Sequence, residues 1–324
     1  MPEIAVFIEH RQGELRDISL EMLTIGRELS SSMEGTAHAL LLGHPIDELV
    51  KKVTPWAHRV SAVDDPLLGT QDAEACQRVL AHLIPKVSPA VLLIGQTAAG
   101  IDLAPSLAVE LGYPLVSDCI GLAWEDDTLV ATRQIHGGKI EATVHFVKAP
   151  TYIATVRPSA FKIEEATLRG EVVTVDSPLT GEIASRKFIE YLEEAAGDID
   201  ISQADVVVGV GRGIREQENM EVIEKLAEAL GGVIGCSRPV VDAGWLPKNR
   251  QIGSSGKTIK PKLYLAIGIS GAFQHVAGMK SAETIVAVNK DPHAPIFSSA
   301  HYGIIGDLFK VVPQLTEKVM ELKK

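Results

Sequence analysis

The chain has 324 residues, 46% hydrophobic and 23% charged, an ordinary globular composition with apolar material for two buried cores. Aromatics make up only 5% and small aliphatic residues dominate, which favours α/β layers over an aromatic-rich β-sandwich. The formal net charge of −11 argues against nucleic acid as a partner but leaves room for one phosphate-bearing ligand held by local donors.

The first elements follow in chain order. Residues 4–9 read as a buried strand, 18–29 as a helix and 37–42 as a second strand ended by Gly43. A helix is expected over 73–84, with Ala73, Cys76, Val79, Leu80 and Leu83 on one face. Residues 90–95 form the clearest strand of this half, and a further helix is expected to begin near Ile101-Asp102 and end before Gly112. Alternating strands and helices imply a mainly parallel sheet. Past Asp118 the runs 121–124, 129–135, 140–146 and 152–155 are short strands. Asp126-Asp127 and Gly137-Gly138 are turn residues between them, and all four strands are expected as antiparallel additions to the first domain. A helix over 185–194 is expected to leave it.

The small, acidic stretch 195–200 marks the boundary, giving domains 1–196 and 197–324. Strand starts near Val206, Val233, Leu263 and Thr284, a weaker one near Gly303, and a helix over 218–230 then predict a compact doubly wound domain. Cys76, Cys119 and Cys236 are far apart and form no C-x-x-C, so each is expected as a buried, reduced thiol. The opening residues 1–8 lack a cleavage site, and no apolar run approaches the ~20 residues that cross a bilayer. A soluble protein of the cytoplasm, with no membrane insertion, is the expectation.

In an open parallel sheet ligands bind beyond the carboxyl ends of the strands. After the first strand of the second domain comes Gly209-Val210-Gly211-Arg212-Gly213, which permits close backbone approach but does not match the G-x-G-x-x-G dinucleotide fingerprint. Arg212 suits a pyrophosphate and equally suits an exposed turn. After the second strand come Ser237, a hydroxyl donor, and Arg238, a planar permanent cation. The run 251–257, QIGSSGK, has only two residues between Gly253 and Gly256, too few for a Walker loop. Gly268, Ser270 and Gly271 let a helix N-terminus approach a phosphate, with His275 in its first turn. Asn289 and Asp307 follow the last two strands and suit ribose or adenine as well as ordinary turns. Small or polar residues after successive strands of one domain point to an adenine-containing cofactor with a pyrophosphate.

Residues 263–313, LYLAIGISGAFQHVAGMKSAETIVAVNKDPHAPIFSSAHYGIIGDLFKVVP, closely resemble the signature of electron transfer flavoprotein α subunits. The runs GVGRG, CSRPVVDAGW and QIGSSGK fit that family in order and spacing, so the resemblance covers about residues 204–320. Ser117-Asp118 and Thr155-Val156-Arg157-Pro158 fit it more loosely. The resemblance implies one non-covalent FAD. It places Arg212, Ser237, Ser270 and Gly271 along the cofactor, and Asn289, Asp307 and Leu308 at the adenosine end. It puts Ile252, Gly253, Ser254 and Ser255 on the flavin side, with Ser255 toward flavin N5, where many relatives carry Thr. Ala272, Phe273, Gln274 and His275 would continue the binding turn, His275 near flavin O2, and Arg238 would lie over or beside the isoalloxazine. A guanidinium and an imidazole donor there would stabilise the charge that reduction adds, raising the potential.

No nucleophile, general base or metal is implied, because the cofactor carries the redox chemistry. The implied protein is an electron carrier, with oxidoreductase activity of its own only if it bifurcates electrons from NADH. The implied partners are a β subunit packed against the first domain, a flavoprotein dehydrogenase as donor, and a quinone reductase or another acceptor. The Thr155–Pro158 run resembles the branch that supports flavin-based bifurcation or the one tied to nitrogen fixation, whereas the ordinary branch serves fatty acid β-oxidation. The competing reading, an NAD(P)-dependent two-domain oxidoreductase, needs a dinucleotide fingerprint that residues 209–213 do not supply.

Overall fold

The computed structural model describes residues 2–136, 138, 140–181, 188–189 and 200–323. Its contacts divide the chain into two units, Met1–Glu190 and Tyr191–Lys324. The expected helix over 185–194 and the expected boundary stretch lie outside the described residues, apart from 188–189 and Asp200.

The first unit comprises β1 (Glu3–Ile8), the small hairpin β2 (His10–Arg11) and β3 (Glu14–Leu15), α1 (Asp17–Ser32), β4 (Thr36–Gly43), α2 (Asp47–Val53) and β5 (Arg59–Asp64). It continues with α3 (Ala73–Val87), β6 (Val91–Gly95), α4 (Ala98–Leu111), β7 (Leu115–Glu125), β8 (Thr128–Ile135), β9 (Ile140–His145), β10 (Tyr152–Val156) and β11 (Glu171–Thr174). Nine strands form one sheet in the order β11-β5-β4-β1-β6-β10-β7-β8-β9. Side chains alternate across its faces, as the period of two demands. Ile4, Val6 and Ile8 of β1 meet Ile18 and Met22 of α1, while Ala5 and Phe7 meet α3 and α4 on the other side. Burial on both faces explains why β6 reads as an unbroken apolar run.

Two expectations for this unit are corrected. The strand at 152–156 is not an antiparallel addition: β10 lies between β6 and β7 and runs parallel to both. All five of its residues are buried, as befits an interior strand. Only β7, β8 and β9 are joined antiparallel. Helix α4 starts at Ala98, three residues before the expected position, because the Thr97 side chain accepts the Gly100 amide at 3.1 Å and caps it. Its end at Gly112, with φ +67, is as expected.

The residues of the Thr155–Pro158 run hold the carboxyl end of β10 to the early part of β7. Arg157 forks onto Asp118 through Nε–Oδ1 at 2.7 Å and Nη2–Oδ2 at 2.6 Å, and its Nη1 donates to Gln134 Oε1 at 2.7 Å. The Asp118 amide donates to Thr155 Oγ1 at 2.8 Å. Arg157 is therefore a clamp inside this unit, charge-assisted and bidentate.

The second unit comprises β12 (Val206–Val210), α5 (Met220–Leu230), β13 (Val233–Cys236), α6 (Arg238–Asp242), β14 (Leu263–Ile267), α7 (Phe273–Met279), β15 (Thr284–Asn289), β16 (Tyr302–Ile305) and α8 (Leu308–Leu322). Its five strands are all parallel, in the order β13-β12-β14-β15-β16. Met220, Ile223 and Leu226 of α5, Val240 of α6, and Leu308 and Val312 of α8 cover one face. Met279 of α7, with Ile252, Ile259 and Ile296 from the connections, covers the other. Helices on both faces of a parallel sheet make this a doubly wound domain. All three cysteines of the chain are buried, free thiols.

Candidate functional site

Because the strands of the second unit are parallel, their carboxyl ends share one edge, and every residue singled out after a strand belongs to that edge. The chain leaves β12 for β13 on one side and returns to β14 on the other, so the topological switch point lies between β12 and β14. The runs 211–213 and 268–272 meet there.

The glycines of this region serve the chain's own packing. A Cβ on Gly211 would lie 2.3 Å from the Gly268 carbonyl oxygen, and one on Gly213 2.7 Å from Gly268 Cα. The Gly213 amide donates to the Gly268 carbonyl at 3.0 Å, and that of Gly211 to Ile267 at 2.9 Å. A Cβ on Gly209 would meet the buried Tyr264 hydroxyl at 1.9 Å. The close backbone approach expected from GVGRG is therefore made to the neighbouring strand and loop. Arg212 is left exposed at the turn.

After β14 the chain passes through Gly268 and Gly271 with φ of +63 and +87, conformations that favour glycine. The Ser270 carbonyl accepts the Ile296 amide at 3.0 Å, pinning the loop from below. The N-cap residue of α7, Ala272, has no side-chain acceptor, so the first amides of the helix keep their donor capacity. Ser270, Ala272, Phe273 and Gln274 are exposed there, and Gly271 is buried.

The run 251–257 forms a closed loop. The Ile252 amide donates to Cys236 O at 2.8 Å, Lys257 N to Gln251 O at 2.7 Å, and Gly253 N to Lys257 O at 3.1 Å. Ser254 N donates to Gln274 O at 2.8 Å, tying the loop to α7. Gly253, at φ +140, is needed because a Cβ there would lie 2.6 Å from Gln274 O. Ile252 and Gly253 are buried, while Ser254 and Ser255 are exposed at the tip.

At β13, Ser237 is nearly buried and Arg238 is 70% exposed, its Nε 3.5 Å from Asp242 Oδ2. An exposed pair of this length holds the guanidinium only loosely, which leaves its flat face available. Burial pushes the neighbouring Cys236 thiol up to about 12, so it is an inert filler of the core.

Three expected site residues are committed to the chain itself. His275 is buried: Nδ1 donates to the Ile252 carbonyl at 3.1 Å, which only accepts, so Nε2 must accept from the Tyr264 hydroxyl, at 2.7 Å. Burial lowers its pKa to about 4, so the ring is neutral. Both ring nitrogens therefore have protein partners. Asn289 likewise donates from Nδ2 to Ile269 O at 2.8 Å and accepts the Asp291 amide at 3.0 Å, clasping two strand ends. Leu308 packs into the core. Asp307 caps α8 through the Phe309 amide at 3.1 Å and is otherwise exposed to meet a ligand.

Two further residues beside the candidate site carry a signal in the sequence. Tyr264 is a lone hydroxyl inside the apolar strand LYLAI, and Gln251 opens the QIGSSGK run. Gln251 is 5% exposed, and its Nε2 donates to Ser255 Oγ at 2.9 Å.

The donor set suits a dinucleotide. The exposed Arg212, the Ser270 hydroxyl and the uncapped amides of α7 fit a diphosphate, and the Asp307 carboxylate beyond β16 fits a ribose. The redox chemistry itself would belong to the cofactor's ring, while the protein binds and orients it.

Comparison with known proteins gives two family matches. Residues 4–180 match the electron transfer flavoprotein domain, and residues 200–280 match the electron transfer flavoprotein FAD-binding domain. The chain is 40% identical to the electron transfer flavoprotein subunit alpha of Thermoanaerobacterium thermosaccharolyticum, over 99% of this chain and 98% of that one. It is 38% identical to the acryloyl-CoA reductase electron transfer subunit beta of Anaerotignum propionicum, over 99% and 96%. It is also 38% identical to protein FixB of Clostridium saccharobutylicum, over 98% and 96%. Among the described residues, no helix is long and apolar enough to cross a membrane.

Proposed function

The chain belongs to the electron transfer flavoprotein family as an α subunit, and we propose that it holds its FAD along the carboxyl edge of the second unit's sheet. The observation that carries this reading is the convergence of Arg212, Ser237, Arg238, the loop 251–257, the start of α7 and Asp307 on one edge of one parallel sheet.

In this reading the amides of α7, Ser270 and Arg212 bind the pyrophosphate, and Asp307 with the turn around Leu308 receives the adenosine. Ser254 and Ser255 face the flavin side. Arg238 lies against the isoalloxazine, where its fixed charge favours the electron-rich form. His275 acts from beneath, by holding Ile252 and thereby the loop. The partner is a β subunit, as the family match implies. The donor is a flavoprotein dehydrogenase, such as an acyl-CoA dehydrogenase, and the acceptor a quinone reductase or a comparable carrier in the cytoplasm. Counting FAD and AMP per heterodimer separates the branches, because a bifurcating assembly carries a second FAD in the β subunit.

The test is Arg238→Ala in the purified heterodimer. The potential of the bound flavin is expected to fall, while the visible spectrum still reports bound FAD. A potential equal to that of the parent would remove Arg238 from the flavin. A heterodimer that stays colourless when offered FAD would end the whole reading.

A further inference from the structure

We infer that Gln251 biases the direction of the Ser255 hydroxyl, so that Ser255 addresses the flavin as a donor. The inference rests on the proposed placement of Ser255 beside flavin N5 and adds the residue that sets its polarity.

Gln251 is held from all sides. Its amide donates to Lys248 O at 3.0 Å, and its carbonyl accepts Lys257 N at 2.7 Å. It lies beside Cys236 at the carboxyl end of β13. Gly256 leaves it room: a Cβ there would lie 2.3 Å from Gln251 O and 3.0 Å from Gln251 Cγ. The loop tip is equally fixed, by Ser254 N on Gln274 O and by Gly256 N on Gly253 O at 2.9 Å. A buried amide with one direct side-chain bond, Nε2 to Ser255 Oγ at 2.9 Å, thus faces an exposed hydroxyl on a rigid loop.

A serine hydroxyl has one proton and two lone pairs. With an N–H filling one lone pair, the proton cannot point at Gln251 and is available outward beside the remaining lone pair. Unprotonated N5 accepts such a proton, whereas protonated N5 needs an acceptor. Gln251 therefore makes Ser255 favour N5 without its proton, which suits transfer of electrons unaccompanied by protons. A carboxylate at 251 would do the reverse, taking the Ser255 proton for itself and turning a lone pair to the flavin.

The test uses the heterodimer loaded with FAD labelled with ¹⁵N at N5, in the oxidised state, for the parent, Ser255→Ala, Gln251→Glu and Gln251→Leu. The N5 resonance is expected to lose the shift of a donated hydrogen bond in Ser255→Ala and in Gln251→Glu, and part of it in Gln251→Leu, where Ser255 turns freely. FAD affinity is expected to fall roughly fivefold in Gln251→Glu, the worth of about one neutral hydrogen bond. The double variant Ser255→Ala with Gln251→Glu is expected to match Ser255→Ala in its N5 shift. Should Gln251→Glu not fold, the Gln251→Leu shift decides alone. If Ser255→Ala moves the resonance and neither Gln251 variant does, Gln251 only supports the loop and the inference falls. If Ser255→Ala itself leaves N5 unmoved, the placement of Ser255 fails, and the inference with it.

Discussion

His275 ties two elements of the second unit together through both of its ring nitrogens. It ties Tyr264 in the sheet to Ile252 in the flavin-side loop, and it does so as a neutral ring. In the unfolded chain a histidine takes its proton near pH 6.5, whereas here burial delays protonation to about pH 4. Between those values the unfolded state binds the extra proton, so stability falls as the pH is lowered through the window. The shift corresponds to about 3 kcal/mol, fully lost below both values. His275→Gln keeps a donor for Ile252 and an acceptor for Tyr264 but does not titrate. Urea unfolding of the second unit at pH 7 and at pH 4.5 should therefore show a flatter acid dependence in His275→Gln than in the parent. An unchanged dependence would place the titrating group elsewhere. None of this was legible in the sequence, because Tyr264 and His275 are eleven positions apart and only the fold brings strand and helix together. The positions of Arg212 and Arg238 just past strands and of the two serines at a loop tip, by contrast, were legible, because the strands before them are strongly apolar.

At the scale of elements, the legible strands were those whose burial is uniform. The runs 91–95, 206–210 and 263–267 are apolar throughout because helices or connections cover both faces. β5 is not legible in the sequence, because its pattern is broken by Ser61, a residue 4% exposed that pairs with His38 Nε2 at 2.9 Å. His38 in turn bonds the half-buried Glu3 at 2.9 Å, so two polar residues are buried near the start of the sheet and hide its period. The position of β10 was not legible either, since a strand's spatial neighbours are set by long-range pairing. The glycines after β12 were legible as close-approach residues, but their partner was not. That partner makes a prediction. Gly213→Ala places a Cβ 2.7 Å from Gly268 and should destabilise the second unit by about 1–3 kcal/mol, with or without FAD. Arg212→Ala, on an exposed side chain, should change stability by less than about 0.5 kcal/mol yet weaken FAD binding. Thermal unfolding with and without FAD distinguishes the two. A Gly213→Ala variant that loses FAD affinity but no stability would restore the glycines to a direct part in binding.

For the whole molecule, the two units divide labour as well as structure. Each has its own sheet with a core on either face, and the candidate site residues all lie in the second. The first unit's carboxyl edge is closed instead by its own polar side chains. Gln71 donates to Ile8 O and to Leu42 O, both at 2.9 Å, and Thr97 donates to Glu9 at 3.0 Å. The Arg157–Asp118 clamp closes the far side of the same edge. A ligand that binds the native state alone stabilises it by mass action, about 2.7 kcal/mol at a free concentration one hundred times Kd. That stabilisation should appear where the ligand's contacts are. Hydrogen exchange of the heterodimer, followed by mass spectrometry with and without FAD, should show α-chain protection concentrated in peptides covering 211–215, 236–240, 251–257 and 268–276. Peptides from the interior of the first sheet should be unchanged, because strands such as β6 are already protected to the limit of their own unit's stability. Equal gains in β1, β6 and β10 would mean that the α chain's flavin is bound by the first unit, and the assignment of the second sheet's edge would have to be given up.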